Sequence, residues 1–546
     1  MRRSSAGGPA CSRRRRRRGR AASHRAVAHV VLPGACAGRA AGRCTEAQDM
    51  SHRDPIKVYD ARWEDGEFSD AQIARLFESA VAYGRELGAD TVVVTRDARL
   101  AARRVMEAAI DEALRQGMRV FMRPEPISTP QSYFTCMYVS QEHPGTMGLT
   151  ITASHNPPGD IGVKFTVPGV RAVGLECGPA GGLSRIREIY HSPQRYAARG
   201  GGRLHVLDLT RQYVEWSLRQ AQVADGSLAG MKVVLDAMHG SAGPEFMLAL
   251  ERAGAEVRAL RYIPDGTFPD GAPNPTSAGR MDRAVSLAGA VGAEAMIGLD
   301  GDGDRIVFGD GRGMLTAGFA FVAILSSMKP GTDGPVPVLY DPKVSPPALV
   351  EWARMNTRPM LFRNGHSQIK DYMLRQGAAA GAEESGHYYH RLTLGTVTAC
   401  AENSLLTVLL FLKALRSTPG LRERLWELQG RVLTTGEFNY RFESDCVRDE
   451  ALAALVAKFA GEGAATATRT PDGIDLQGTC ISRGVSLRQG DVSLSDDWYS
   501  GYVRIATNER GIVRSYFSAG ERATLERVEK TARCVLENDF RGQRVA

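Results

Sequence analysis

Short apolar runs alternate with longer amphipathic stretches along most of this chain. The run at 91–95 is followed by a helical stretch at 99–116 and by a second run at 119–122. The same order of strand, helix and strand returns at 232–260 and at 337–362. Strands separated by helices predict parallel sheets that helices cover. Three weakly similar units indicate three related α/β domains.

Each unit contains a further apolar run, and the residues that follow this run carry chemically active side chains. These stretches are Ala153–Pro157, Asp300–Arg305 and Glu383–His387. Open α/β sheets bind their ligands outside the carboxyl ends of the strands. We therefore expect the three stretches to face one central cleft.

The pattern changes at about residue 436, where short strands mix with helices and a last helix is predicted at 521–536. This mixture indicates a smaller α+β domain. The sequence therefore predicts an α/β fold with three related α/β domains, whose sheets are mainly parallel, and an α+β C-terminal domain. The predicted domains cover residues 50–205, 206–313, 314–433 and 434–546.

Residues 1–49 differ from the rest of the chain in charge. They contain 12 Arg, one Asp and one Glu, a net charge of +10, whereas the whole chain carries +8 and the remainder therefore −2. Such an arginine-rich segment repels itself, which predicts disorder. Because Arg outnumbers Lys 60 to 9, we interpret 1–49 as translated upstream DNA from a GC-rich genome, with the true start at Met50. A nucleic-acid-binding arm or a targeting peptide is the alternative.

Composition also excludes several classes of protein. The nearly neutral body gives no reason to expect nucleic acid or an anionic membrane as a partner. No run approaches the roughly 18 consecutive apolar residues of a membrane helix. The nine cysteines are isolated, without a CxxC pair, which fits a reducing cytoplasm.

Three aspartates at alternate positions form the clearest chemical motif. Asp300, Asp302 and Asp304 are separated by single glycines, so their carboxylates can turn toward one point. Carboxylate oxygens suit hard cations such as Mg²⁺. A calcium loop of the EF-hand type would need Gly and Glu where Arg305 and Gly311 stand. The motif therefore predicts a Mg²⁺ site.

Ser154 lies between a small residue and His155 at the end of a predicted strand. Its hydroxyl is a candidate nucleophile or phosphate carrier, although Ser and Asn are also common in turns. A Mg²⁺ site nearby favours phosphoryl transfer, because the cation neutralises charge on the transferring group.

Together, and in this order, the three motifs resemble the α-D-phosphohexomutase superfamily, closest to phosphomannomutase/phosphoglucomutase, over about residues 56–540. The resemblance implies four domains around a central cleft. It implies that Ser154 is the phosphoserine, which is a further ligand of Mg²⁺ beside Asp300, Asp302 and Asp304. It also places Arg305 next to the sugar.

The resemblance implies roles for further residues. His155 and Lys164 match residues that assist proton transfer, and Glu383 and Ser385 match the loop that reads sugar hydroxyls. The remaining positions that match the family's substrate site are Tyr59, Arg62, Lys343, His366 and Arg504.

The phosphate-binding loop of the fourth domain departs from the family pattern, which reads Arg-x-Ser-x-Thr-Glu-Pro. Here Arg504 is retained, Ala506 and Asn508 stand at the Ser and Thr positions, and Thr507 supplies a neighbouring hydroxyl. We expect Arg504, Thr507 and Asn508 to bind phosphate, and the sugar preference stays open.

The predicted function is a Mg²⁺-dependent phosphohexomutase that interconverts hexose 1-phosphate and hexose 6-phosphate. The reaction implied runs through the phosphoserine and a bisphosphorylated sugar, with a hexose bisphosphate as activator. We expect a cytoplasmic monomer or weak dimer whose partners are small hexose phosphates. The alternatives are a non-catalytic sugar-phosphate-binding regulator and a phosphoglucosamine mutase.

Overall fold

The computed structural model describes residues 54–175, 177–328, 334–488, 490–506 and 511–545. The predictions made for residues 1–49, Thr507 and Asn508 therefore lie outside the described residues. All the described residues belong to one unit of the chain.

The first sheet has seven strands in the order β1-β5-β4-β2-β3-β7, with β6 beside β5. Its strands are β1 Ala61–Glu64, β2 Thr91–Arg96, β3 Arg119–Met122, β4 Thr146–Ile151, β5 Asp160–Val167, β6 Arg171–Ala172 and β7 Arg203–Val206. The helices of this region are α1 Asp70–Glu86, α2 Ala102–Arg115, α3 Thr129–Val139 and α4 Gly182–His191. All six residues of β4 are buried, because the strand lies inside the sheet and helices cover it.

The second sheet has five strands in the order β12-β11-β10-β8-β9. They are β8 Lys232–Asp236, β9 Glu256–Leu260, β10 Ala295–Leu299, β11 Ile306–Asp310 and β12 Gly313–Leu315. The helices here are α5 Thr210–Ala221, α6 Gly243–Arg252 and α7 Asp282–Val291. Every residue of the central strand β10 is buried, as a nearly continuous apolar strand requires.

The third sheet repeats this arrangement in the order β14-β13-β15-β16-β17. Its strands are β13 Val336–Tyr340, β14 Thr357–Leu361, β15 Ala380–Ala382, β16 Tyr388–Leu394 and β17 Val397–Glu402. The helices are α8 Ala317–Met328, α9 Pro346–Arg354, α10 His366–Gln376, α11 Ser404–Ser417 and α12 Leu421–Gly430. Phe308 of the second sheet stacks on Phe411 of α11, with ring centres 4.1 Å apart, so these two regions share one hydrophobic core.

The fourth sheet has six strands in the order β19-β20-β21-β22-β18-β23, and every pairing is antiparallel. They are β18 Leu433–Arg441, β19 Ala465–Arg469, β20 Asp475–Arg488, β21 Asp491–Ile505, β22 Ile512–Ala519 and β23 Gln543–Val545. Two helices pack on it, α13 Asp445–Gly461 and α14 Arg522–Arg533, and α14 continues into a π-helical turn at Cys534–Asp539.

The first three sheets share one topology. In each, the first strand of the repeating unit pairs in parallel with the second and the third, and the third pairs with an antiparallel strand that follows it directly. The prediction of three related α/β domains and a smaller α+β domain is confirmed. The sheets are mixed because the chain turns straight back after the loops 152–159, 300–305 and 383–387 instead of crossing over through a helix.

No single helix among the described residues is long and apolar enough to cross a membrane. Helices α11 and α12 pass the same test of length and composition only as a pair, and they are bent by 107° relative to each other.

Candidate active site

The three predicted polar loops meet at one end of their sheets. The hydroxyl of Ser154 in the first loop donates to Asp300 Oδ2 in the second over 2.7 Å. The second loop joins the third, because Arg305 and His387 form an isolated β-bridge and the amide of Ile306 donates to Gly386 O over 2.8 Å. The expected convergence of the loops is therefore present, at the wall of a cleft of about 970 Å³.

Seven of the 14 predicted site residues that the structure describes line this cleft together. Those that do are Tyr59, Arg62, Ser154, His155, Lys164, Arg305 and His366. His387 of the third loop, to which we assigned no role of its own from the sequence, lines it as well.

Ser154 has an unusual backbone conformation. Its φ is +53°, in the left-handed region that non-glycine residues rarely adopt. The turn is held because the Ser154 amide donates to Thr152 Oγ1 over 2.8 Å. Strained residues of this kind cluster at functional sites, where the surrounding structure fixes them.

Arg99 fixes the loop of Ser154 from behind. The guanidinium is buried and pairs with Asp97 at 3.1 Å. Its remaining N–H groups donate to the backbone carbonyls of Ser154, Asn156, Pro157 and Asp160. The planar guanidinium presents five donors, so a single side chain satisfies four carbonyls that a turn would otherwise leave open.

The three aspartates lie side by side and are all buried. Asp300 accepts the Ser154 hydroxyl and the Arg305 amide, and burial together with Asp302 and Asp304 raises its pKa to about 7. Asp302 Oδ1 and Asp304 Oδ1 have no hydrogen-bond partner among the described residues. Buried carboxylate oxygens without a partner are costly, and a hard cation would satisfy them. This donor set therefore fits Mg²⁺.

Lys164, on β5, crosses to the aspartates from the first sheet. Its ammonium donates to Asp302 Oδ2 over 2.7 Å and also contacts Asp304 Oδ2. Burial alone would lower the pKa of Lys164, but the two carboxylates raise it above its usual range. Lys164 is therefore protonated while it holds this position.

His155 lies beside Ser154, with Nδ1 3.3 Å from the Ser154 hydroxyl oxygen. Burial, followed by the positive charges of Arg305 and Arg62, lowers the pKa of His155 to about 2. The imidazole is therefore neutral at pH 7 in this state.

Asp60, to which we assigned no role from the sequence, organises another part of the cleft. It accepts two hydrogen bonds from Arg62, at 3.0 and 2.8 Å, and lies 3.6 Å from His366 Nε2. Burial would raise the pKa of Asp60, but Arg62 and His366 hold it well below its usual range. Tyr59 completes the group, with its ring centre 6.1 Å from that of His366. The signal for Asp60 in the sequence was its place between Tyr59 and Arg62, two positions that match the family's substrate site.

The third loop is joined internally and to the aspartates. Ser385 donates to Glu383 Oε2 over 2.9 Å and lies 2.9 Å from His387 Nδ1. His387 Nε2 is 3.4 Å from Asp304 Oδ1. Glu383 accepts the Gly365 amide over 3.1 Å, which links the loop to the start of α10.

Lys343 and Arg504 do not line the cleft beside Ser154. Lys343 lies where the third and fourth sheets meet, and its ammonium is 2.8 Å from Glu437 Oε2. Arg504 lies on β21. Burial raises the pKa of the Tyr59 phenol, and the charge of Arg504 is close enough to lower it in part.

Three family models match this chain in succession. The family models named phosphoglucomutase/phosphomannomutase alpha/beta/alpha domains I, II and III match residues 55–174, 211–313 and 322–431. A phosphomannomutase of Salmonella typhimurium strain LT2 is 27% identical over 427 residues, which are 77% of this chain and 89% of that protein.

Solved structures share the fold. A phosphoglucomutase/phosphomannomutase family protein from Burkholderia thailandensis has a TM-score of 0.71 at 22% identity and covers 89% of this chain and 97% of its own. The Paramecium phosphoglucomutase pp63/parafusin also has a TM-score of 0.71, at 17% identity, and covers 89% of this chain and 95% of its own.

Replacing Arg99 tests how the Ser154 loop is held. The Arg99→Met substitution should destabilise the protein by about 3–5 kcal/mol, because it leaves Asp97 as an unpaired buried charge. Urea unfolding followed by tryptophan fluorescence measures the change. Arg103→Met is the matched control, since Arg103 is exposed and forms an ion pair with exposed Glu107. Equal transitions for the two variants would show that Arg99 does not support the loop.

Proposed function

Because this chain belongs to the phosphoglucomutase/phosphomannomutase family and is an intramolecular phosphotransferase of the isomerase class, we propose that it interconverts hexose 1-phosphate and hexose 6-phosphate through a phosphoserine at Ser154. The observation that carries the proposal is the 2.7 Å contact between the Ser154 hydroxyl and Asp300, at the wall of a large cleft. The phosphoserine gives its phosphoryl group to the free hydroxyl of the bound sugar phosphate. The resulting bisphosphorylated sugar then returns its other phosphate to Ser154.

The surroundings of Ser154 support a role as phosphate carrier. Its backbone is held by Thr152 and Arg99, so the hydroxyl keeps a fixed place while the sugar changes. Positioning of this kind accounts for much of the rate in phosphoryl transfer. The cleft of about 970 Å³ is large for a hexose, which leaves room for the intermediate to turn over.

Asp300, Asp302 and Asp304 would hold Mg²⁺, with the Ser154 oxygen as a further ligand. When bound, Mg²⁺ would neutralise negative charge on the transferring phosphoryl group. Asp302 Oδ1, which has no hydrogen-bond partner among the described residues, supports this assignment.

His155 and Lys164 are assigned different parts in proton handling. Lys164 is protonated and paired, so it stabilises negative charge and serves as a base only if it leaves Asp302. His155 is neutral and lies next to Ser154. A phosphate on Ser154 would place negative charge close to the imidazole and raise its pKa, which would make it a better proton acceptor. Arg305, on the same wall of the cleft, would contact the sugar and its phosphate.

The sugar would be bound mainly by the third loop and by the residues in and next to β1. Glu383 and Ser385 offer acceptors and a donor to hydroxyls, while Tyr59, Arg62 and His366 line the cleft. Phosphate at the far end of the sugar would be bound by Lys343, Arg504, Thr507 and Asn508.

The activator, the oligomeric state and the compartment of the enzyme complete the proposal. A hexose bisphosphate would act as activator, because it phosphorylates Ser154. We propose a monomer or weak dimer in the cytoplasm, without nucleic acid or membrane as a partner. The buried thiols Cys136, Cys177 and Cys400, which form no disulfides, are compatible with a reducing compartment.

Turnover on a panel of sugars tests the reaction. With Mg²⁺ and a trace of hexose bisphosphate, we expect mannose 1-phosphate or glucose 1-phosphate to be converted to its 6-phosphate faster than glucosamine 1-phosphate. Ser154→Ala should lower kcat by about 10⁴-fold or more, as expected when a nucleophile is removed. A coupled assay for each 6-phosphate gives the rates.

The control for this comparison is Ser326→Ala, because Ser326 lies in α8 and its hydroxyl donates to Ala323 O of the same helix. Turnover that survives in Ser154→Ala would exclude the phosphoserine. Binding of sugar phosphates without turnover in the unmodified protein would favour a non-catalytic regulator, and preference for glucosamine 1-phosphate would favour a phosphoglucosamine mutase.

Metal removal tests the aspartate loop. Treatment with EDTA should abolish turnover and Mg²⁺ should restore it. Asp302→Asn should raise the Mg²⁺ concentration for half-maximal rate by about tenfold or more, the size expected when coordination is weakened. Asp282→Asn, at an exposed position of the same domain, should leave that concentration unchanged. Full activity after exhaustive chelation would refute the metal site.

A further inference from the structure

Glu437 lies on β18, where the fourth sheet meets the third domain, and it contacts one cation from each side. Its Oε2 accepts from Lys343 Nζ over 2.8 Å, and Lys343 belongs to the loop after β13. Its Oε1 accepts from Arg514 Nη1, on β22, over 3.0 Å. Both carboxylate oxygens are therefore engaged, each by a cation of a different domain.

Further groups gather around this carboxylate. Strand pairing places Arg504 directly opposite Arg514, and Glu437 opposite Tyr516. The ammonium of Lys343 lies 5.8 Å from the centre of the Tyr516 ring. Like charges directly opposite each other in a sheet are unfavourable, so a nearby anion stabilises the pair of Arg504 and Arg514.

Glu437 is this anion, because its carboxylate is ionised. Burial would raise the pKa of Glu437, but the hydrogen bond and charge of Lys343, together with Arg514, hold it below its usual range. The side chains of Glu437 and Lys343 are each 29% exposed, so water screens this contact only in part and can still reach it. A ligand that enters from solvent can therefore compete for the two cations.

We propose that Glu437 is an internal substitute for the substrate's phosphate, which occupies Lys343 and Arg514 until the phosphate displaces it. A phosphate offers the same pattern of acceptor oxygens to Lys and Arg as a carboxylate does. It also carries up to two negative charges where the carboxylate carries one. The inference deepens the proposed function and rests on it, because it takes a hexose phosphate as the natural ligand.

The contact would have two consequences for the enzyme. It would keep Lys343 and Arg514 paired between turnovers and so hold the third and fourth domains together. It would also favour dianionic ligands, since a monoanion gains little by exchange with a carboxylate. Glu437 would therefore increase the preference for phosphate over monoanions. It would also lower the affinity for phosphate, because the phosphate must displace it.

Binding of inorganic phosphate to the full chain tests this inference without relying on turnover. Isothermal titration calorimetry would compare the unmodified protein with Glu437→Gln and Glu443→Gln. Glu443 is exposed and follows β18, so its variant makes the same change in net charge. We expect Glu437→Gln to bind phosphate at least fivefold more tightly and Glu443→Gln to stay within twofold of the unmodified protein. Unchanged or weaker binding in Glu437→Gln would overturn the inference, because a residue that merely positions Lys343 would give that result.

Two further variants keep the test decisive. Glu437→Asp retains the charge but is shorter by one methylene, so it should give a smaller gain in affinity, and it replaces Glu437→Gln if that variant does not fold. Adding Lys343→Met to Glu437→Gln should remove the gain. A gain that persists in the double variant would place the phosphate elsewhere and contradict the inference. Turnover of the unmodified protein is assayed in parallel, so failure of the mutase reaction is seen separately from failure of phosphate exchange.

Discussion

Repulsion among three buried carboxylates is the constraint on which the rest of this centre depends. Asp300, Asp302 and Asp304 share one loop in surroundings where charge is poorly screened. The groups that offset the repulsion come largely from the first domain: Lys164 from β5 and Thr129, which donates to Asp302 Oδ2 at the start of α3. The first and second domains must therefore meet here. The cation that the remaining carboxylate oxygens require would lie where the Ser154 hydroxyl also points.

The same meeting point explains the conformation of Ser154. Its loop reverses the chain between β4 and the antiparallel β5, and the reversal lets β5 carry Lys164 back toward the aspartates. The left-handed turn at Ser154 is tolerated because Arg99 donates hydrogen bonds to the carbonyls around it. Topology, ion pairing and the position of the Ser154 hydroxyl are thus parts of one arrangement, in which the strain at the serine is balanced by a buried arginine.

Much of this could be predicted from local patterns. The repeated strand and helix runs indicated the three related units, and the polar stretches after the third strands indicated where the loops converge. Other features depend on contacts distant in the sequence, which spacing does not reveal. Arg99 acts on residues more than 50 positions away, and His387 was inside a predicted motif without any sign that it faces Asp304. In the region of the long hairpin of β20 and β21 the sequence predicted only short strands, because half-exposed polar residues interrupt the apolar pattern. The mixed character of the sheets could not be predicted. An apolar strand has a similar sequence whether the chain reverses directly after it or crosses over through a helix.

The central claim is that Ser154 carries the phosphoryl group. The most direct measurement is peptide mass spectrometry of the protein after incubation with Mg²⁺ and glucose 1,6-bisphosphate. The account predicts one phosphate on the peptide that contains Ser154. If that phosphate carries an isotopic label, the label should pass to the sugar when unlabelled glucose 1-phosphate is turned over, because the sugar's own phosphate takes its place on Ser154. Turnover with phosphate on a different residue, or with no phosphorylated residue at any time, would contradict it.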